Sequence, residues 1–182
     1  MFLRRKTAGA VLAAAAAVGL TTAAALPASA SATNYFELAV QVGTFAPVMC
    51  LQPINPAGGA GAAIVQQPCS AGNQAQNWAP VNTAGSTYEF VNQVSGMCLD
   101  ARGGAAVHTP IQQWPCGNIS NEHWTWPHSF PDSFWPLVSQ VAGSSGFCLD
   151  VPGASTQAGL AVQLYTCNGT PAQAWAIAGP VS

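Results

Sequence analysis

The stretch Met97-Cys98-Leu99-Asp100, followed by Cys116 and then by Asn121-Glu122-His123-Trp124, decides the reading of this chain because its pattern occurs three times. Met49-Cys50-Leu51 leads to Cys69 and then Gln76-Asn77-Trp78. Phe147-Cys148-Leu149 leads to Cys167 and then Gln173-Ala174-Trp175. The two cysteines of a unit are 19, 18 and 19 residues apart, and the Trp follows the second after 9, 8 and 8. Upstream of each unit lies an alternating segment ending in Gln-Val: residues 36–42, 88–94 and 135–141. Period-2 apolar spacing with β-branched residues argues for strands. First cysteines recur after 48 and 50 residues, and a period near that length implies supersecondary units sharing one core. No stretch after residue 32 sustains a 3.6-residue period, so the chain is predicted to be all-β.

The six cysteines are an even set, and 15 pairings are open to them. Their regular recurrence favours one bridge per unit: Cys50 to Cys69, Cys98 to Cys116, and Cys148 to Cys167. Each would stabilise the fold by about 3 kcal/mol through loop closure. A zinc site is the competing reading of clustered cysteines. It is disfavoured, because the chain has no C-x2-C pair.

Charge is scarce. The 182 residues hold 4 Lys+Arg and 6 Asp+Glu, or 5% charged, against about 25% in an ordinary soluble domain. Arg4, Arg5 and Lys6 lie at the N-terminus, leaving Arg102 as the one later base. Phosphate neutralisation needs a basic surface, so nucleic acid is excluded as a partner. Residues 1–32 read as a secretory signal peptide, with a basic start, an Ala-rich apolar run, and small-residue cleavage options after Ala30 or Ala32. The expectation is a secreted, extracellular protein with no membrane association after cleavage, its disulfides formed in an oxidising compartment. Residues 33–182 then form one domain, with repeats at about 34–82, 83–131 and 132–182. No cofactor or metal is called for, and a monomer is expected.

Three copies of a Cys-Leu step, a second Cys and a Q-x-W-like tripeptide resemble the ricin B-chain-like (R-type) lectin domain, over about residues 34–182. The resemblance implies a β-trefoil of twelve strands in three pseudo-equivalent repeats, with Trp78, Trp124 and Trp175 packed inward. It also implies a sugar site in a repeat that has four features. These are an Asp two residues after the first Cys, a Gln four before the second, an aromatic two before the second, and Asn beside the Gln of Q-x-W. The second repeat supplies Asp100, Gln112, Trp114 and Asn121, with Glu122 in place of Gln. The third supplies Asp150, Gln163, Tyr165 and Gln173, but Ala172 stands where Asn would be. The first has Gln52, Val65, Gln67 and Ala75 in these places and reads as a structural copy.

The chemistry fits a neutral sugar, which presents an apolar face to an aromatic platform and hydroxyls to carboxylate and amide groups. The function expected is a non-catalytic, lectin-like carbohydrate-binding protein for galactose- or xylose-containing glycans. The alternative is a trefoil that binds a protein, such as a protease inhibitor, through exposed Trp126, Phe130, Phe134 and Trp135. Glycoside hydrolysis needs a pair of carboxylates about 5–9.5 Å apart. Asp100 and Asp150 are assigned to sugar, and Glu37 and Glu89 are expected at equivalent exposed strand positions. His123 and His128 are expected as solvated loop residues, and no nucleophile-elbow G-x-S-x-G occurs.

Overall fold

In the computed structural model, described for residues 34–40, 42–43, 48–126, 134–143 and 146–180, the repeated motif becomes a repeated set of bonds. Trp78, Trp124 and Trp175 have no exposed surface. Each indole Nε1–H donates to the backbone carbonyl of the Leu after the first cysteine: Trp78 to Leu51 (3.0 Å), Trp124 to Leu99 (2.9 Å) and Trp175 to Leu149 (2.8 Å). An indole buried without an acceptor would lose its bond to water. The Cys-Leu step and the Trp are therefore coupled within each repeat. Three disulfides join Cys50 to Cys69, Cys98 to Cys116 and Cys148 to Cys167, as the spacing anticipates.

Twelve strands follow, four per third of the domain. They are β1 (Phe36–Val40), β2 (Met49–Pro53), β3 (Ile64–Pro68), β4 (Asn77–Ala84), β5 (Thr87–Asn92), β6 (Cys98–Ala101), β7 (Ile111–Trp114), β8 (Trp124–Thr125), β9 (Val138–Ser139), β10 (Phe147–Asp150), β11 (Gln163–Thr166) and β12 (Trp175–Pro180). Antiparallel pairing runs β12–β1–β4–β5–β8–β9. A bridge between Trp135 and Trp175 brings the chain before β9 back to β12. Among the described residues the six strands thus close into a ring. The remaining strands form three hairpins, β2–β3, β6–β7 and β10–β11. The hairpins are linked to one another by bridges Ala63–Gln112, Pro110–Gln163 and Val65–Ala161. The architecture is a β-trefoil. Leu51, Leu99 and Leu149 meet the three tryptophans in a single apolar core with Leu38, Phe90 and Leu137.

The third upstream segment gives less strand than the alternation suggests. Pro136 has no N–H for a ladder, and pairing shrinks to the Trp135 bridge and the two residues of β9. In the second repeat the strand ends at Asn92, whose Oδ1 accepts from the backbone N–H groups of Val94 and Ser95 and turns the chain. The exposed aromatic stretch expected after Trp124 is corrected in part. Trp126 is only 4% exposed and packs against Phe90, with ring centroids 6.0 Å apart. Trp135 is half-buried and Phe134 is exposed. Phe130 and His128 lie outside the described residues.

Trp124→Phe keeps an aromatic ring but leaves the Leu99 carbonyl without its donor. The expected loss is about 2–3 kcal/mol of stability. It is read as a lower urea midpoint at unchanged slope; an unchanged midpoint would show that the bond contributes nothing.

Candidate functional site

Antiparallel register explains the spacing of the expected site residues. In the β6–β7 hairpin Asp100 lies directly opposite Gln112, and Cys98 opposite Trp114. In β10–β11 Asp150 lies opposite Gln163, and Cys148 opposite Tyr165. Opposed residues and their i+2 neighbours share one face of the ribbon. Each hairpin thus places an Asp, a Gln and an aromatic on one face above the disulfide, while Leu99 or Leu149 points into the core. The aromatics stand out of the protein: Trp114 is 42% exposed and Tyr165 is 36% exposed. The carboxylates are buried at the foot of these rings. Gln112 Nε2 donates to Asp100 Oδ1 at 2.7 Å, and Gln163 Nε2 donates to Asp150 Oδ1 at 2.9 Å.

The third repeat carries a cavity of about 510 Å³ whose lining includes Asp150, Gln163, Tyr165, Asn168, Thr170 and His108. His108 belongs to the second repeat, and single-repeat motifs do not reach it. Its Nδ1 is 2.8 Å from Gln163 Oε1, and its ring centroid is 5.6 Å from that of Tyr165. The Gln163 amide already donates through Nε2, so its Oε1 accepts and His108 Nδ1 carries the proton. The signal was available from aligning the repeats with one another: Gly61, His108 and Gly159 occupy equivalent places. The backbone N–H groups of these three donate to the carbonyls of Gln113, Leu164 and Gln66 in the next hairpin around the ring. All three have positive φ, at 90°, 65° and 80°. That conformation suits glycine and is uncommon for other residues.

The first repeat's slot is filled from within. Gln52 Oε1 accepts from Asn73 Nδ2 (3.2 Å) and Gln76 Nε2 (3.1 Å), and Gln67 replaces the aromatic.

Matches to a model described as ricin-type beta-trefoil lectin domain-like cover residues 29–114, 82–144 and 120–181, one after another along the chain. The chain belongs to this family. No curated protein matches it. Among solved structures, the designed three-fold symmetric protein ThreeFoil is 26% identical, with a TM-score of 0.69 over 80% of this chain and 98% of its own. A Macrolepiota procera ricin B-like lectin, solved with lactose, is 19% identical, with a TM-score of 0.61 over 84% of this chain and 100% of its own. The exo-beta-1,3-galactanase 1,3Gal43A of Clostridium thermocellum is 23% identical, with a TM-score of 0.68 over 80% of this chain, which spans 30% of that enzyme.

Within this ricin-type trefoil, Glu122 and Gln173 are 0% and 1% exposed. Both sit on the 3-10 turn before the repeat's Trp, and Gln173 is bonded directly to the site carboxylate. Gln173 shows what the position does. Its Oε1 accepts from the Asn168 backbone N–H, and its Nε2 donates to Asp150 Oδ2 (3.1 Å) and the Thr166 carbonyl (3.0 Å). Gln76 makes the same set in the first repeat, to Ser70, Gln52 and Pro68. Glu122 Oε2 accepts from the Gly117 N–H at 2.8 Å, but a carboxylate has no N–H for Asp100. Its Oε1 is buried without a hydrogen-bond partner. Asn121 Nδ2 donates to the Ala101 carbonyl, next to Asp100. The corresponding Ala172 lines the third cavity.

Glu89 is also buried, and Glu37 is half-buried, so neither is the exposed strand residue expected. Oxygens of Glu89 and Glu122 lie within 4.8 Å of each other beside Cys98, and Glu37 lies similarly near Cys50 and Cys69. All three cysteines are in disulfides and offer no thiolate to a metal. His123 is part-buried, its Nε2–H donating to Asn118 Oδ1 (2.9 Å), with Glu89 Oε1 3.9 Å away.

Burial raises the pKa of Asp100 above its ordinary 3.8. The Gln112 hydrogen bond opposes this, and the negative charge of Glu122 adds to it. Glu89 is raised above 4.5 by burial first and then by the charge of Glu122. His123 opposes the shift, as does the Asn118 backbone N–H. A carboxyl with a raised folded pKa contributes stability that is complete below its unfolded value and is lost as pH rises through the folded value. Glu122→Gln would supply the missing donor to Asp100 and remove a charge from both neighbours. At about pH 7.5 it should stabilise the protein by about 1–2 kcal/mol, with the advantage shrinking towards about pH 4. Thermal melts at the two pH values check this; equal gains at both would show that charge plays no part.

Proposed function

We propose that this chain is a secreted, non-catalytic carbohydrate-binding protein that holds neutral sugars, galactose- or xylose-containing glycans, at its second and third repeats. The observation that carries the reading is the twice-built hairpin face. Trp114 stands over Asp100 and Gln112, and Tyr165 over Asp150 and Gln163, with the carboxylates fixed by amide donors. A sugar ring stacked on the aromatic would bring two adjacent hydroxyls to the Asp oxygens, and the amide and Asn121 would satisfy further hydroxyls. The family and the lactose-bound relative support the ligand class.

The N-terminal 32 residues serve as the signal peptide, and the mature domain works as a monomer. Two sites on one rigid body raise avidity for a branched or polymeric glycan by about 10²–10⁴ over either alone. The carboxylates of the two faces are engaged by amides, which suits them to accept from hydroxyls rather than to exchange protons with a substrate.

Glycan-array and polysaccharide pull-down assays test the proposal, with free sugar competing. Trp114→Ala should weaken the second site by about tenfold or more, and Asp150→Ala should remove the third. Full binding by Trp114→Ala would sink the assignment of the second site. Capture of a protein that free sugar does not displace would favour an interaction module instead.

A further inference from the structure

His108 reaches the third repeat's candidate site from the neighbouring repeat, and the second has Gly61 at the equivalent place. A Cβ built at Gly61 would lie 3.8 Å from Gln112 Oε1 and 4.0 Å from Trp114 Cζ3. Position 61 therefore faces the second repeat's glutamine and aromatic, just as His108 faces Gln163 and Tyr165 in the third. At that flank the second site has no side chain and the third has an imidazole. The imidazole also changes which atoms face a ligand. Gln112 Oε1 has no bond from position 61, whereas Gln163 Oε1 accepts from His108 Nδ1 and the imidazole lines the cavity.

We infer that His108 is a specificity-determining residue that closes one flank of the third repeat's site, restricting it to a terminal sugar ring. The second repeat's site, open at Gly61, admits a ring within a longer chain. This rests on the carbohydrate-binding reading above.

His108 also has a latching role, which the test must separate. Gln113 Nε2 holds the first repeat's loop by donating to the Gly58 and Gly59 carbonyls. Gln66 Nε2 holds the third repeat's loop through the Ser155 and Gln157 carbonyls. The equivalent residue in the third repeat is Leu164, which has no amide, and the His108–Gln163 bond spans that junction instead. Loss of a latch alone would lower stability or affinity for every ligand alike. Loss of a wall changes the ratio between short and long ligands.

The experiment uses the full chain with one site disabled at a time. Asp100→Ala isolates the third site and Asp150→Ala the second. Titrations with galactose, β-1,4-galactotetraose, xylose and xylotetraose give the tetrasaccharide-to-monosaccharide affinity ratio of each. A ratio near one is expected at the third site, and a clear tetrasaccharide preference, about fivefold or more, at the second. His108→Gly in the Asp100→Ala background should confer that preference on the third site. Should His108→Gly unfold, His108→Asn suits positive φ and keeps a polar group with a shorter reach; it should shift the ratio in the same direction. An unchanged ratio in a folded variant overturns the inference, as does a third site that Asp150→Ala leaves unaffected. The first result leaves the lectin reading standing, and the second removes Asp150 from that reading's third site. A wild-type chain that binds none of these probes and no glycan on the array overturns both.

Discussion

The trefoil depends on a hydrogen bond made three times, from a buried indole to the carbonyl of the leucine beside a cystine. A Trp with no exposed surface must find an acceptor for its N–H, and here the acceptor is the backbone between Cys and the Asp or Gln that follows the Leu. That bond fixes the strand leaving the first cysteine against the strand carrying the tryptophan. The side chains on either side of the leucine, the half-cystine and the Asp or Gln, then share the opposite face of the strand. Core and candidate site are alternate faces of the same few residues: Leu99 faces the apolar core, while Cys98 and Asp100 share the opposite face of the strand.

This explains why so much was legible in one dimension. The disulfides and the Trp-to-Leu bonds lie within one repeat, where sequence spacing translates directly into hairpin register; the twelve strands and the inward tryptophans are what the family resemblance implies. The spacing of Asp100 from Gln112, or of Asp150 from Gln163, is set by the length of one hairpin. What spacing could not convey is what the repeats do to each other. His108 enters the third repeat's cavity only because the hairpins meet around the pseudo-threefold axis. Within one repeat, too, spacing misses contacts between residues far apart in the sequence, such as the packing of buried Trp126 against Phe90. Glu122 sits on one turn of 3-10 helix with no exposed surface, which its place in the motif does not convey. The burial of Glu89 beside it depends on an adjacent strand.

The near-symmetry of the three repeats makes each departure informative, since two copies act as internal controls for the third. Gln76 and Gln173 make the same set of bonds, so the unmatched Oε1 of Glu122 stands out as a defect of one repeat alone. Gly61 and Gly159 are suited to their backbone conformation, so the imidazole at 108 is the exception in need of a reason. In the first repeat, Gln52 closes the slot with amide bonds to Asn73 and Gln76. There the polar network stabilises the fold and leaves little for a ligand.

The bonds by which each repeat's loop grips the next hairpin also bear on how such a molecule could be cut or rearranged. Every hairpin face is bordered by the loop of its predecessor, and the third repeat's loop returns to border the first. The polar faces are therefore properties of the closed ring and of no single repeat in isolation. Moving the chain ends to another inter-repeat junction would preserve all three neighbour relations. Excising one repeat would remove its own face and strip the flank from the one that follows.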